Sequence, residues 1–307
     1  LAIKTMKKYF YLMAAAIMVL GFTACTIDNN DNPVTEPVEY GKVFSYTYNG
    51  QTLYYIIEES GEAIVEYPMY PGFDTRNDES WTGYDKPEGS VVIPDYVPCG
   101  GNKYPVTEVD YCAFFRCYDI TSVTLPSTLR TIDKRAFNKC YSLESINLPN
   151  TLQSIGNYAL LSTKINNVVI PDHLKQLGDG LFMYCDSLTT CQLPTQLEAI
   201  GIDFFYGSGI TNITIPEHVT SIGSWAFGNC LSLKELTLPA SVTELADYVF
   251  TDGTRLETLT VGSEVPPTVT PSTFEDYATT IIVPKGTGDA YRSDEIWGKF
   301  TTITEKE

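Results

Sequence analysis

An aliphatic-x-aliphatic-Pro tetrad recurs along this chain every 22 or 23 residues. VVIP ends at Pro94, VTLP at Pro126, INLP at Pro149, VVIP at Pro171, CQLP at Pro194, ITIP at Pro216 and LTLP at Pro239. LTVG at Gly262 and IIVP at Pro284 continue the series, and from Pro126 the intervals run 23, 22, 23, 22, 23, 23 and 22. A period in this range prescribes a solenoid, in which one coil of chain stacks on the next. A solenoid is mainly an extended surface, so binding is its default use.

Each repeat has the same internal order. The third residue before the proline is apolar (Val123, Ile146, Val168, Cys191, Ile213, Leu236, Leu259), as is the residue just before it (Leu125, Leu148, Ile170, Leu193, Ile215, Leu238). Polar residues alternate with them, which describes a strand with one face in the core and one in solvent. Proline ends the strand because it has no N–H for the ladder. An apolar residue follows (Leu129 to Val242), then an Ile or Leu three further on (Ile132, Ile155, Leu177, Ile200, Ile222, Leu245), often with Gly next. The far side carries an Ala-Phe-like pair: Ala113-Phe114, Ala136-Phe137, Ala159-Leu160, Leu181-Phe182, Phe204-Phe205, Ala226-Phe227 and Val249-Phe250. Three residues after the aromatic, four repeats have Cys117, Cys140, Cys185 and Cys230; two shorter repeats lack it. A coil with about seven inward apolar groups closes its core only between neighbours, so such an array needs several copies and two caps.

This order, L-x-x-I-x-L-P-x-x-[VL]-x-x-I-x-x-x-A-F-x-x-C, resembles the BspA-like leucine-rich repeat family of bacterial surface proteins. Gly89 to Pro94 with Tyr104 to Val109 resembles that family's entry into the array, and Pro266-Pro267, Phe274, Ile281 to Gly286, Tyr291, Trp297 and Phe300 resemble its closing segment. The resemblance implies a right-handed leucine-rich-repeat superhelix with a parallel β-sheet and short helical or 3-10 turns on the far side. It also implies a cell-surface protein of a Bacteroidetes-like bacterium, adhering to host matrix proteins or to other cells.

The amino-terminal segment sets the expected compartment. Met6-Lys7-Lys8 followed by an apolar run to Phe22 has the order of a signal peptide, with Met6 as its start, and is short for a membrane span. Ala24-Cys25 at its end resembles a lipoprotein box, which would make Cys25 a diacylated amino terminus at the outer membrane or cell surface. The expected organisation is a signal peptide at 1–24, a flexible acidic tether at 25–40, a β-rich cap at 41–92, repeats at 93–262 and a closing repeat and cap at 263–307. Within the cap, Val43 to Ile57 alternates around Asn49-Gly50, a hairpin signal. Asp28, Asn30, Asn32 and Glu39 match calcium-loop spacing, but Pro33 stands where that loop needs glycine.

Little catalytic chemistry is legible. The net charge of −18 opposes nucleic-acid binding. The ladder Cys117, Cys140, Cys185, Cys230 reads as a packing position. Side chains in register keep Cβ atoms ~4.8 Å apart where a disulfide needs ~3.8 Å. Cys99 and Cys112, near the open end, are the pair left as disulfide candidates. No CxxC pair is present, and His173 and His218 share a repeat position two coils apart, ~10 Å, too far for one metal ion. They read as exposed loop residues. No nucleophile elbow, phosphate loop or zinc-protease motif appears, so the expectation is a non-enzyme with no cofactor and no metal.

Two surfaces stand as binding candidates. The first is the outward strand face: Ser122, Thr124, Ser145, Asn147, Asn167, Thr190, Gln192, Asn212, Thr214, Glu235, Thr237, Thr258 and Thr260. Short hydrogen-bonding side chains on a rigid ladder suit an extended protein segment or a glycan at little ordering cost, although Ser and Thr also simply suit an exposed strand. The second is the loop Pro68 to Asp85, with Tyr70, Phe73, Trp81 and Tyr84 as aromatics that could stack on sugars or on protein.

Overall fold

The computed structural model describes residues 38–68, 81 and 83–307. The leader, Cys25 and the calcium-spaced Asp28, Asn30 and Asn32 lie outside them, as do Tyr70 and Phe73.

The tetrads form the expected parallel strands, stacked one coil apart. Gly89–Val92 pairs with Ile120–Thr124, which pairs with Ser145–Ile146. Asn167–Val169 pairs with Thr190–Gln192. Glu235–Leu238, Thr258–Val261, Thr280–Val283 and Thr302–Glu305 form a continuous four-stranded run, joined to the preceding coil by a bridge from Thr214 to Thr237. The strand at Thr302–Glu305 carries no proline tetrad, so the repeat signature stops one strand short of the sheet.

A second ladder follows the proline. Thr131–Ile132 pairs with Ser154–Ile155, and Ala199–Ile200, Ser221–Ile222 and Glu244–Leu245 pair in turn. Between these groups the coils pass very close: a Cβ on Gly178 would lie 2.3 Å from the carbonyl carbon of Gly156. At its amino-terminal end this ladder runs into the cap. Val43–Tyr48 and Gln51–Ile57 form an antiparallel hairpin turning on Asn49 and Gly50, both with positive φ (51° and 79°), as an Asn-Gly turn requires. The hairpin pairs with Ala63–Glu66, and that strand runs parallel to Asn102–Val109, which continues into Thr131–Ile132. The cap therefore extends the ladder as well as covering its end.

The far side carries short turns closed by 3-10-type bonds, such as Phe115 N to Cys112 O at 3.0 Å and Cys117 N to Phe114 O at 3.1 Å. Among the described residues, helix is confined to Gly288–Ser293, with a 3-10 turn at Trp297–Lys299. In the Ala-Phe segments alternate N–H groups point along the stack, the others closing the turn within the coil. Phe114 donates to Ala136 O at 2.8 Å, Phe137 to Ala159 O at 2.9 Å, Phe182 to Phe204 O at 3.0 Å and Phe227 to Val249 O at 3.1 Å. What redirects them is a pair of left-handed residues in every coil, four apart: Cys112 and Arg116, Arg135 and Lys139, Tyr158 and Ser162, Gly180 and Tyr184, Asp203 and Gly207, Trp225 and Asn229, Tyr248 and Asp252. An αL residue breaks a helix and costs a non-glycine residue roughly 1–2 kcal/mol, which the bond to the next coil offsets. No helix of the described residues is long and apolar enough to cross a membrane.

The core is a column. Phe114 stacks on Phe137 at 5.0 Å, and Phe182, Phe205, Phe227, Phe250 and Phe274 stack in sequence at 5.7–6.0 Å between centroids. Leu160 interrupts the aromatic series between Phe137 and Phe182, itself fully buried. Trp297 closes the carboxyl end, fully buried, with Nε1 donating to Pro267 O at 2.9 Å, and Tyr291 donates its hydroxyl to Ser263 O at 2.7 Å.

Candidate functional site

The strand face lies in solvent along the length of the stack. Thr124, Ser145, Asn147, Asn167, Thr190, Gln192, Asn212, Thr214, Glu235 and Thr237 are exposed; Ser122, Thr258 and Thr260 are half-buried. Strand pairing sets several of them side by side in register: Asn167 beside Thr190, Glu235 beside Thr258 and Thr237 beside Thr260. Three of the thirteen have local work. Ser122 bonds Ser90 Oγ at 2.8 Å, and Asn167 donates to Asn166 Oδ1. Asn147 accepts from Leu125 N at 2.6 Å and donates to Leu125 O at 3.2 Å, its amide reproducing a ladder pair across coils. Among the described residues, Thr190, Gln192, Asn212, Thr214 and Thr237 spend no side-chain hydrogen bond on the molecule itself, so their donors and acceptors face water.

The aromatic loop is different. Trp81 is only 3% exposed, packed edge-on to Tyr54, with Nε1 donating to Ala113 O at 3.2 Å. Tyr84 is half-buried, edge-on to Tyr54 at 5.4 Å. These two rings fasten the loop to the cap and first coil, and Trp81 presents no face to a ligand. The loop's composition gave no way to tell an aromatic that anchors from one that reaches out.

The cysteine column is buried as expected, for a reason beyond size. Cys140 Sγ donates to Phe114 O at 3.1 Å, Cys185 Sγ to Leu160 O at 3.2 Å and Cys230 Sγ to Phe205 O at 3.1 Å. Each thiol ties its coil to the one before. In the two shorter coils Thr163 and Ser208 occupy the position, buried, next to Cys185 Sγ (3.3 Å) and Cys230 Sγ (3.7 Å). Burial pushes the Cys185 thiol up to about 11 and Cys230 up to about 12, and raises Cys117, Cys140 and Cys191 as well, so all are held as thiols at neutral pH.

The disulfide expectation needs correcting. Cys112 keeps its thiol, so it forms no bridge with Cys99. Cys112 is buried at a left-handed turn position (φ 58°) of the first coil, with N–H to Lys134 O, while Cys99 ends the strand Tyr96–Cys99. The histidines are exposed, as the sequence suggests, and each ring also meets a carbonyl one coil back. His173 Nε2 lies 2.6 Å from Leu152 O and His218 Nδ1 lies 3.1 Å from Thr195 O, each tying back one coil.

Sequence reading missed one carboxylate group, Glu108, Asp110 and Asp133, brought together within 4.8 Å by strand pairing. Asp110 and Asp133 each accept from the N–H of the following residue, at 2.7 and 2.6 Å, which is turn chemistry.

Comparison with known proteins accords with this architecture. Six copies of the BspA type leucine rich repeat region match residues 107–218 and 198–287. A leucine rich cell surface protein from Faecalibacterium prausnitzii is similar at 19% identity and a TM-score of 0.45, over 86% of this chain and 95% of that one. A leucine-rich repeat protein from Bacteroides ovatus is similar at 21% identity and a TM-score of 0.42, over 85% and 77%. The leucine-rich repeat protein of T. pallidum is similar at 26% identity and a TM-score of 0.42, over 67% and 80%. No curated protein matches. With matched repeats over more than half its length and their coils laid out as described, the chain belongs to the BspA type leucine rich repeat family.

Proposed function

We propose that this chain is a surface-displayed binding module, tethered through a lipid on Cys25, that engages a protein of a host matrix or of another cell through its outward strand face. The observation that carries this reading is the set of exposed hydroxyl and amide groups of Thr190, Gln192, Asn212, Thr214 and Thr237 that make no side-chain hydrogen bond within the described residues, with Thr214 and Thr237 in register. An extended segment laid across them gains hydrogen bonds, spaced ~4.8 Å where neighbouring coils are laddered, while the module loses little conformational freedom. The repeat family, an interaction scaffold, accords with it. So does the leader-and-Cys25 pattern.

The test is binding of the purified chain to immobilised matrix proteins and to a glycan array, repeated with Thr190→Ala, Gln192→Ala and Thr214→Ala combined. Loss of matrix-protein binding of tenfold or more supports the reading. Binding that survives the triple substitution refutes it, and binding to glycans alone favours nutrient capture instead. Cys25→Ser should release the protein from membranes.

A further inference from the structure

The turn side of the solenoid carries an aromatic strip that its own packing does not require. Tyr184 and Tyr248 are 47% and 41% exposed, and Tyr206 and Trp225 between them are half-buried. Their rings touch in series: Tyr184 to Tyr206 at 5.4 Å, Tyr206 to Trp225 at 5.8 Å, and Trp225 nearly parallel on Tyr248 at 4.6 Å. Two glycines bed them. A Cβ on Gly207 would come 2.7 Å from the Tyr184 ring, and one on Gly228 would come 2.8 Å from Tyr206 and 3.1 Å from Trp225.

Three of these rings stand on the left-handed positions that recur in every coil. Arg135, Lys139 and Ser162 fill the same positions in other coils, and those coils close equally well. Coil closure therefore does not select Tyr184, Trp225 and Tyr248.

Carboxylates line the strip. Asp252 accepts the Tyr206 hydroxyl, and Asp203, half-buried, is held above the usual carboxylate range by burial and by Asp179. Among the described residues no Lys or Arg forms an ion pair with Asp179, Asp203 or Asp252; the ion pairs present join other residues, such as Lys164 with Asp186 and Lys234 with Glu257. Aromatic faces beside unpaired carboxylates favour a guanidinium or ammonium group, through cation–π attraction and charge together. The same charge, on a chain of net −18, repels anionic glycans and nucleic acid.

We propose that the strip Tyr184–Tyr206–Trp225–Tyr248, with Asp203 and Asp252, docks an extended polypeptide segment bearing Arg or Lys side chains. The strip crosses four coils, three spacings of ~4.8 Å, which about five extended residues span. It lies on the turn side, apart from the strand face, so the two surfaces are tested independently.

Trp225 reports on its own site, because Trp81 and Trp297 are buried. The full chain is titrated at low salt with a hexapeptide alternating Arg and Ser, with its Glu-for-Arg counterpart, and with a neutral glucan oligosaccharide. Tryptophan emission is followed together with calorimetry. Binding of the Arg peptide with a change in emission is expected, with no response to the Glu peptide. Trp225→Arg, which installs the residue type of Arg135, and Tyr184→Ser, which installs that of Ser162, should each weaken calorimetric affinity tenfold or more. Thr301→Ala, exposed in the carboxyl-terminal cap, should leave it unchanged. Failure of the Arg peptide to bind, equal binding of the Glu peptide, affinity insensitive to both strip variants, or strip-dependent binding of the glucan alone each overturns the proposal.

Discussion

Cys140 holds its Sγ 3.1 Å from the Phe114 carbonyl in a fully buried position, and Ser208 and Thr163 hold the equivalent place elsewhere. The sequence showed a small buried residue with a weak donor there; it did not show which carbonyl the donor reaches. Seen beside Ser and Thr at the same register, the common property is a short side chain with a hydrogen to give. Cys140→Ala should therefore destabilise by about 1–2 kcal/mol, from the lost bond and a small void. Cys140→Ser should cost clearly less. Urea midpoints at unchanged slope measure both, and equal losses for the two variants would reduce the position to packing. Asn147 teaches the same lesson from the opposite direction. It sits on the exposed face the sequence nominates, yet its amide is committed to Leu125.

At the scale of elements, strand positions were legible because two-residue alternation and a terminating proline are local signals. The left-handed backbone of the far-side turns was not. Their left-handed residues are Arg, Lys, Tyr, Ser, Trp, Asn and Asp as well as Gly, so no residue type marks them. Coil-to-coil bonding imposes the conformation on whatever residue is present. The closing element was legible in its aromatics but not in its carboxylate. Glu305, at the end of the final strand, accepts from Gly286 N at 2.7 Å and Gly288 N at 2.9 Å, fastening the start of the helix Gly288–Ser293. Those two N–H groups hold its pKa below the usual carboxylate range. A depressed acid contributes stability above its unfolded pKa and loses it as pH falls through the folded value. Glu305→Gln should thus lower the melting temperature near neutral pH, and the gap to wild type should close below the carboxylate range. A gap that persists unchanged in acid would show that the contact is not ionic.

At the scale of the whole molecule, the uneven period has a structural counterpart. Cys117, Cys140, Cys185 and Cys230 stand three residues before the next inward apolar residue, whereas Thr163 and Ser208 stand only two before Ile165 and Ile210. The strands that follow these shorter loops are the ones not laddered to the coil before. Asn167–Val169 pairs forward but not with Ser145–Ile146, and Thr214 bridges forward to Thr237 but not back to Thr190–Gln192. One missing residue shifts a strand enough to lose its backward ladder, with Thr211 N still reaching Thr189 O at 3.3 Å at the second seam, and the outer sheet is left in three blocks. Amides around these two seams should exchange with solvent at least about tenfold faster than those of Glu235–Leu238 and Thr258–Val261. Uniform protection along the stack would contradict this.

A rod built from three stiff lengths and two softer joints does not flex evenly. Bending concentrates at the joints, so the polar face can tilt in segments towards a curved or irregular partner while each segment keeps its own spacing intact. The two short loops at Thr163 and Ser208 then set where the molecule yields.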